Sequence, residues 1–580
     1  MSTHKNFDAI CILVLAICLL ITVLFMNGSR LGIEMVIDED AEAHAGDVYF
    51  TSNDMNGSWS TNSATVIILN GDSAKVSGSG AYFYKGDLFI SNGGKYLLQG
   101  ELIDGSIIID AYASSKVWLM LDGVSINCTD DAALRINQAD KVFITLAEGS
   151  DNSLVSGTEY SAEALADNAG GTIYAHDDLT INGSGKLTVL SPGKHGIDAN
   201  DELVITGGVI SIEAAEDAIH ANEGVRLQGM ELTVTAGDDG IHCDTGIVIA
   251  GGTIFMPSCY EGIEAKTIEI WDGEITIYPE DDGFNANGSS RSFDFGGMFG
   301  GGMFRPGGFN ENGAESQSAI PDATGGTPPG SSELQTEVTE EEETWLHIAG
   351  GTITIINDSA RDADGLDSNG DITITGGTIR ISLTDNGSNS ALDCGSENGG
   401  VMEISGGSVV ACGSYSMAEG FDSSSLQCSV LYNISAGVDA GTEITLEDMS
   451  GNNLLSYTAP CSFSSVVLSC PEMQLGDTYV LHFGEDSEEI TLSEVSASFG
   501  DAQSTMFGGP MNWGGMQHGR DGHRRNFDGE MPNSEGMPIP PDFDGEMPDF
   551  SNMPQPPDFA GELPASDSQL QSPASETETE

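Results

Sequence analysis

Apolar residues fall into columns along the middle of the chain. Stacking Gly196-Ile197-Asp198-Ala199, Ala218-Ile219-His220-Ala221, Gly240-Ile241-His242-Cys243, Gly262-Ile263-Glu264-Ala265 and Gly283-Phe284-Asn285-Ala286 gives offsets of 22, 22, 22 and 21. Four further columns keep the same register: Leu203, Val225, Ile247, Ile268; Ile205, Leu227, Ile249, Ile270; Ile210, Leu232, Ile254, Ile275; and Ile212, Val234, Met256, Ile277. Within a repeat the apolar positions alternate on either side of a Gly-Gly or Gly-x corner such as Gly251-Gly252, which is the pattern of strand, bend and strand. Such a repeat cannot bury its apolar face alone, so successive copies must stack and pair strand to strand. The pattern predicts an all-β parallel β-helix with rungs of about 22 residues.

The signature returns at Ile353 and Ile355 and at Ile379 and Ile381, and more weakly at Met402 to Val409. On this reading the coil covers residues 47–437, with opening rungs in the strand-like runs near Ile107, Val117 and Val142, and a flexible insertion at 288–344 interrupts it. Residues 438–499 read as a small antiparallel β module that shields the last rung, because an open end of stacked strands is a sticky edge. Residues 500–580, with Pro-Asp-Phe-Asp-Gly-Glu-Met-Pro units and a Ser/Glu tail, have no composition for a core and are expected to be disordered. At the other end, Lys5 precedes an 18-residue apolar run from Ala9 to Met26, so residues 1–30 read as a signal anchor or signal peptide. That places the chain outside the cell, at its surface, and confines membrane contact to this segment.

Charge narrows the partners. The chain carries 19 Lys and Arg against 90 Asp and Glu, a formal net charge of −71, which excludes nucleic acid and repels any polyanion unless a divalent cation intervenes. The acids are not scattered. One polar column reads His195, Asp217, Asp239, Glu261, Asp282 and then Asp364 and Glu419, and a second reads Asp198, His220, His242, Glu264, Asn285 and then Asp367, Asp393 and Asp422. Doubled acids add Asp238 and Asp281 to the same corner. Rungs lie ~4.8 Å apart, and two bare carboxylates at that spacing repel by roughly 3 kcal/mol at an effective dielectric near 20. Calcium, with oxygen ligands at ~2.3–2.6 Å, spans the gap, so Asp217, Asp238, Asp239, Glu261, Glu264, Asp281, Asp282, Asp364 and Asp367 are candidate Ca2+ ligands. The same acids can instead simply solvate a turn.

His220 and His242 occupy consecutive positions in one column and suit zinc in part, but the columns offer carboxylates without a clear tetrahedral cage. A sugar hydroxyl or a neighbouring carboxylate is their expected partner. Phe255, Trp271 and Tyr278 alternate with core positions on neighbouring rungs and are candidate stacking surfaces for a pyranose, unless the insertion covers them. Of ten cysteines, two lie in the N-terminal apolar run; the rest read mostly as packing residues, with Cys461 and Cys470 as the best disulfide candidates.

The motifs Asp239-Gly240-Ile241-His242-Cys243 and Ile374-Thr375-Gly376-Gly377-Thr378-Ile379 resemble those of exported bacterial carbohydrate-binding domain-containing proteins built like pectate lyases. The resemblance is strongest at residues 172–287 and 346–423. It implies a right-handed parallel β-helix, calcium on the acidic corner, and binding of acidic plant polysaccharide, notably polygalacturonate, without an established cleavage activity. Cys243 departs from the usual alanine, and the insertion can alter the binding face. A calcium-dependent pectate lyase is the alternative, with Lys266 or Lys194 as the base that takes the C5 proton and Arg226 and Arg361 as uronate partners. A surface adhesin or spacer with no sugar ligand is the remaining reading.

Overall fold

The computed structural model describes residues 49–287, 344–358, 363–396 and 399–502. It is all-β: among these residues the helical content is a turn at Thr61–Ser63 and the short helix Ala162–Ala166. Strands pair in parallel with the strand one repeat further on, in three ladders. Ile197 faces Ile219, Ile241, Ile263 and Phe284 in succession. Leu203, Val225, Ile247 and Ile268 form the second ladder, and Ile210, Leu232, Ile254 and Ile275 the third. Side chains from all three ladders meet in one apolar core, so the parallel strands close around a common interior as a barrel does.

The columns continue on the far side of residues 288–343. Phe284 pairs with Leu366, Ile268 with Leu346, and Ile275 with Ile353. Residues 288–343 are therefore inserted into one corner of a rung, and the ladders resume in register. Upstream, Leu88, Ile107, Leu134 and Ile173 belong to the first ladder as well.

Glycine before most of the reference apolar residues, Ala218 before Ile219 being an exception, has a steric reason. A Cβ at Gly240 would lie 2.6 Å from the Gly262 carbonyl oxygen and 2.5 Å from the Met256 sulfur, and one at Gly262 would lie 2.3 Å from the Gly283 oxygen. At the opposite corners, Gly252, Gly377 and Gly407 take φ of 105°, 89° and 88°, a region glycine enters without penalty.

Both ends are closed by antiparallel strands. At the N-terminal end Thr65–Gly71 pairs with Ala74–Ser77, and Ala81–Tyr84 with Asp87–Ile90. At the other end Phe463–Ser469 pairs antiparallel with both Ser408–Gly413 and Ser429–Val438, while a separate four-stranded sheet lies outside it. All eight cysteines among the described residues are buried and unbridged. Cys461 and Cys470, the best disulfide candidates in the sequence, are therefore not bridged. The Cys461 thiol instead donates to the Ser382 and Asn357 carbonyls, and Cys470 packs in the core of the C-terminal module.

The chain from Tyr49 to Trp59 runs across several rungs, a feature with no repeat signal behind it. Tyr49 Oη donates to Glu269 at 2.7 Å, Arg226 donates to the Tyr49 carbonyl, Asp54 accepts from Thr180 and pairs with Lys141 at 3.1 Å, and Trp59 donates to Thr145. The apolar run Ala9–Met26, the insertion, Arg361 and the C-terminal tail lie outside the described residues, among which no helix is long and apolar enough to cross a membrane.

Candidate functional site

The first ladder carries the chemistry. Immediately after each buried apolar residue of that ladder, register places Asp198 beside His220, then His242, Glu264, Asn285, Asp367 and Asp393. Tyr174 and Arg135 precede Asp198 in the same line. Arg135 pairs with Asp131 and Asp167, which gives it a structural task away from the acids.

The column on the other side of the apolar residue does something the sequence did not reveal. Four of its acids accept a hydrogen bond from the backbone N–H of the next rung: Asp239 N–H to Asp217 at 3.1 Å, Glu261 N–H to Asp239 at 3.3 Å, Asp364 N–H to Asp282 at 2.7 Å, and Ser390 N–H to Asp364 at 2.8 Å. One oxygen of each of these carboxylates is thus spent on stacking, and in Asp217 and Asp239 the other faces a histidine. These bonds offset part of the repulsion that bare neighbouring acids would suffer.

Histidines offset more of it at one end. His195 lies 3.3 Å from Asp217, and His220 lies 3.1 Å from Asp198. His242 Nδ1 faces Asp239, Glu264 and Asp217 at 3.4, 3.7 and 3.8 Å. The hydrogen bond with Asp239, with Glu264 and Asp217 assisting, raises the His242 pKa to about 9 against the opposing effect of burial. Burial pushes Asp217 up, but the His195 hydrogen bond and charge outweigh it and hold that carboxyl below its ordinary value. Where no histidine intervenes the acids move the other way. Burial, then Glu264 and Asp239, push Glu261 up to about 9, and burial, then Asp282 and Asp393, push Asp364 up to about 9. Glu264 is raised even though it faces His242, because burial and a hydrogen bond with Asp239 outweigh the imidazole's charge.

Four groups bring ligand atoms within 4.8 Å of one another: Asp217, His220 and His242; Asp239, His242 and Glu264; Asp217, Asp238 and Asp239; and Asp364, Asp367 and Asp393. The ladder therefore has a mixed nitrogen and oxygen end and an all-carboxylate end. Asn285 stands between them in register; its amide nitrogen donates to Glu261 at 2.9 Å, while its buried Oδ1 has no hydrogen-bond partner among the described residues. Of the remaining sequence candidates, Asp281 and Asp282 are half-buried at the adjoining corner. Asp422 departs from its expected column: its carboxylate accepts from Met402 N–H on the second ladder.

The rings do not form one row. Phe255 and Tyr278 are exposed and meet edge to face at 6.1 Å on strands leading into the acidic corner. Trp271 sits one residue beyond Ile270 on a different ladder, half-buried, against His347 at 6.1 Å. It precedes the Asp272-Gly273 corner of its rung, whereas Phe255 and Tyr278 belong to the strand that follows the corner. Tyr260, which precedes Glu261, is an exposed ring that the alternation rule missed because it lies on the corner itself; hydrogen bonding to Asp281 raises its pKa to about 12. A stacked pair, Tyr82 on Phe89 at 5.1 Å, was legible only as the run Tyr82-Phe83-Tyr84 outside the repeat. Of the basic candidates, Lys194 lies 3.8 Å from Glu216 and Arg226 is 2.6 Å from Glu202, while Lys266 is half-buried on the strand that carries Glu264.

With this geometry in view, the comparisons with known proteins place the chain. The model of the carbohydrate-binding domain-containing protein family matches residues 85–409, more than half of the chain, and the chain belongs to that family. A carbohydrate-binding domain-containing protein of Acetivibrio thermocellus is 40% identical over 126 residues, which span 22% of this chain and 44% of that relative. A solved structure, the polysaccharide lyase-like protein from C. thermocellum as a gadolinium derivative, aligns with 59% of this chain and 97% of its own at 23% identity and a TM-score of 0.34. A carbohydrate-related role follows from the family.

Proposed function

We propose that this is an extracellular, calcium-dependent carbohydrate-binding protein that holds an acidic plant polysaccharide such as polygalacturonate, and that its stacked parallel strands form a right-handed β-helix. The hand follows the strong preference of parallel crossovers for right-handed connections. The N-terminal apolar run serves as export signal or anchor and keeps the protein at the cell surface.

The observation that carries the reading is the all-carboxylate end of the ladder in a member of a carbohydrate-binding family. Asp364, Asp367 and Asp393 offer three oxygens within 4.8 Å, and calcium takes oxygen ligands at ~2.3–2.6 Å. The donor set is hard and anionic, and the orphaned Asn285 oxygen one rung away adds a neutral ligand of the same class. Asp282, whose other oxygen is bonded to the Asp364 N–H, lies at the same corner. These residues fit calcium. A bound ion reverses the local sign, so that a uronate carboxylate can complete its coordination, while Phe255, Tyr278 and Tyr260 beside the corner offer ring faces to the sugar.

The test is a pull-down on polygalacturonate with calcium and with EDTA, run alongside an assay for the unsaturated product of lyase action. Retention that needs calcium, is lost in Asp364→Asn with Asp393→Asn, and leaves the polymer intact is the expected result. Retention in EDTA refutes calcium bridging. Product formation abolished by Lys266→Ala or Lys194→Ala replaces the binding reading with the lyase.

A further inference from the structure

The geometry points to a second kind of metal site at the other end of the same ladder: His220 and His242, with a carboxylate oxygen of Asp217, form a site for a first-row transition ion of the zinc type. The inference does not depend on calcium binding at Asp364, Asp367 and Asp393.

Three features argue for it. Ligand atoms of Asp217, His220 and His242 lie within 4.8 Å of one another, and so do those of Asp239, His242 and Glu264. Two ligands of one zinc ion, each at ~2.0–2.2 Å, stand roughly 3.3 Å apart at tetrahedral angles. Of the proposed ligands, Asp217 lies 3.8 Å from His242 Nδ1, close to that spacing, and Asp239 and Glu264, at 3.4 and 3.7 Å from the same nitrogen, flank the site with further oxygens. Secondly, three carboxylates converge on one imidazole nitrogen, which can donate a single hydrogen. A divalent cation can face all three oxygens at once, whereas that hydrogen serves one of them; Asp217 also meets His195 at 3.3 Å.

Thirdly, the supporting contacts orient the donors. Asp198, itself only 8% exposed, accepts from His220 Nδ1 at 3.1 Å, which fixes the tautomer and turns Nε2 outward as the metal-binding nitrogen. Asp217 spends one oxygen on the Asp239 N–H, which fixes the carboxylate and leaves the second oxygen towards the imidazoles. The rings of His220 and His242 lie 5.2 Å apart on adjacent rungs, and His195 stacks on His220 at 4.8 Å. Nitrogen donors are what separate this end from the other: imidazole suits zinc and its neighbours, and calcium prefers oxygen. His220 and His242 keep partial exposure, so an ion held there is accessible from solvent and retains an open position.

Metal-free full-length protein is titrated calorimetrically with zinc and, separately, with calcium. His220→Ala with His242→Ala is expected to weaken zinc binding at least roughly 100-fold while calcium binding is unchanged, and Asp364→Asn with Asp393→Asn to do the reverse. Asp198→Asn should weaken zinc binding by about 10–100-fold with the fold retained, as expected for a group that orients a ligand. His518 and His523 in the C-terminal tail are the control; a loss of zinc binding in His518→Ala with His523→Ala, and not in the ladder variant, overturns the proposal. So does displacement of zinc by calcium at comparable concentration. If the double ladder variant fails to fold, imidazole nitrogen NMR on the native chain decides: shifts at His220 and His242 on zinc addition support the site, and shifts confined to other histidines refute it.

Discussion

At the scale of single residues, the same acid has two tasks. Asp217, Asp239, Asp282 and Asp364 each accept a backbone N–H from the next rung, so their place in the repeat is partly explained by stacking alone. What stacking does not explain is the crowding that remains, and the protonation of the crowded groups records it. Glu261 and Asp364 are raised to about 9, so the folded chain keeps protons on them where the unfolded chain has released them above ~4.3. His242, also raised to about 9, stabilises the fold fully below ~6.5 and loses that contribution as pH climbs to 9. All three effects have one sign: folding takes up protons, and stability falls as pH rises through this window. Thermal unfolding in EDTA should therefore give a midpoint that declines from pH 5 to pH 9, and calcium should restore it most at the alkaline end, where it replaces the missing protons. A flat or rising midpoint in EDTA would show that the ladder is hydrated and uncrowded.

At the scale of elements, the structure explains how a rung tolerates a long insertion. Asn369 donates to both Ala286 O and Asn287 Oδ1, and a Cβ at Gly370 would lie 2.0 Å from Thr344 O, so Asn287 and Thr344 sit over two consecutive residues of the next rung. A gap that one peptide bond spans in that rung separates the two ends of the insertion. Deleting residues 288–343 and joining Asn287 to Thr344 should accordingly leave the far-ultraviolet circular dichroism unchanged and shift the melting temperature by no more than a few degrees. If polysaccharide binding rises in the shortened chain, the insertion covers the face; if it falls, the insertion contributes to it.

The same elements show what could be read in advance. The 22-residue period named the core columns, because a buried position stacked on its copy leaves an apolar residue in the sequence at every turn, and Ile219, Ile241 and Ile263 are such copies. The acidic columns were legible for the same reason. Contacts that break the period were not. The segment Tyr49–Trp59 crosses rungs through backbone carbonyls and single side chains, and such bonds leave no repeated mark. The separation of Trp271 from Phe255 and Tyr278 escaped because alternation tells which side chains point outward but not which of three ladders they point from. The unbridged Cys461 and Cys470 show the limit of spacing as a guide to disulfides, since Cys461 is held by weak thiol hydrogen bonds and Cys470 by packing.

For the molecule as a whole, −71 of formal charge governs which ligand can approach and when. A neutral glucan feels little of this field and can stack on exposed rings with or without metal. On the proposed function, a polyuronate is repelled until cations sit in the ladder. The two modes therefore separate by chelation. Phe255→Ala with Tyr278→Ala should lower retention on cellulose-like polymer by several-fold and on polygalacturonate by less, because the ring pair is exposed beside the corner and is not part of the acid ladder. EDTA should abolish polygalacturonate retention and leave the neutral polymer nearly unaffected, with circular dichroism confirming that the strands persist. Raising salt offers an independent check. Screening weakens the long-range repulsion within ~10 Å at 0.1 M, so moderate salt should accelerate association with polygalacturonate in calcium while barely changing the neutral case. If salt slows association instead, the polymer is being steered by positive charge that the calcium-loaded ladder presents beyond its own neutralisation, and the bound ions would outnumber the carboxylates that hold them in charge.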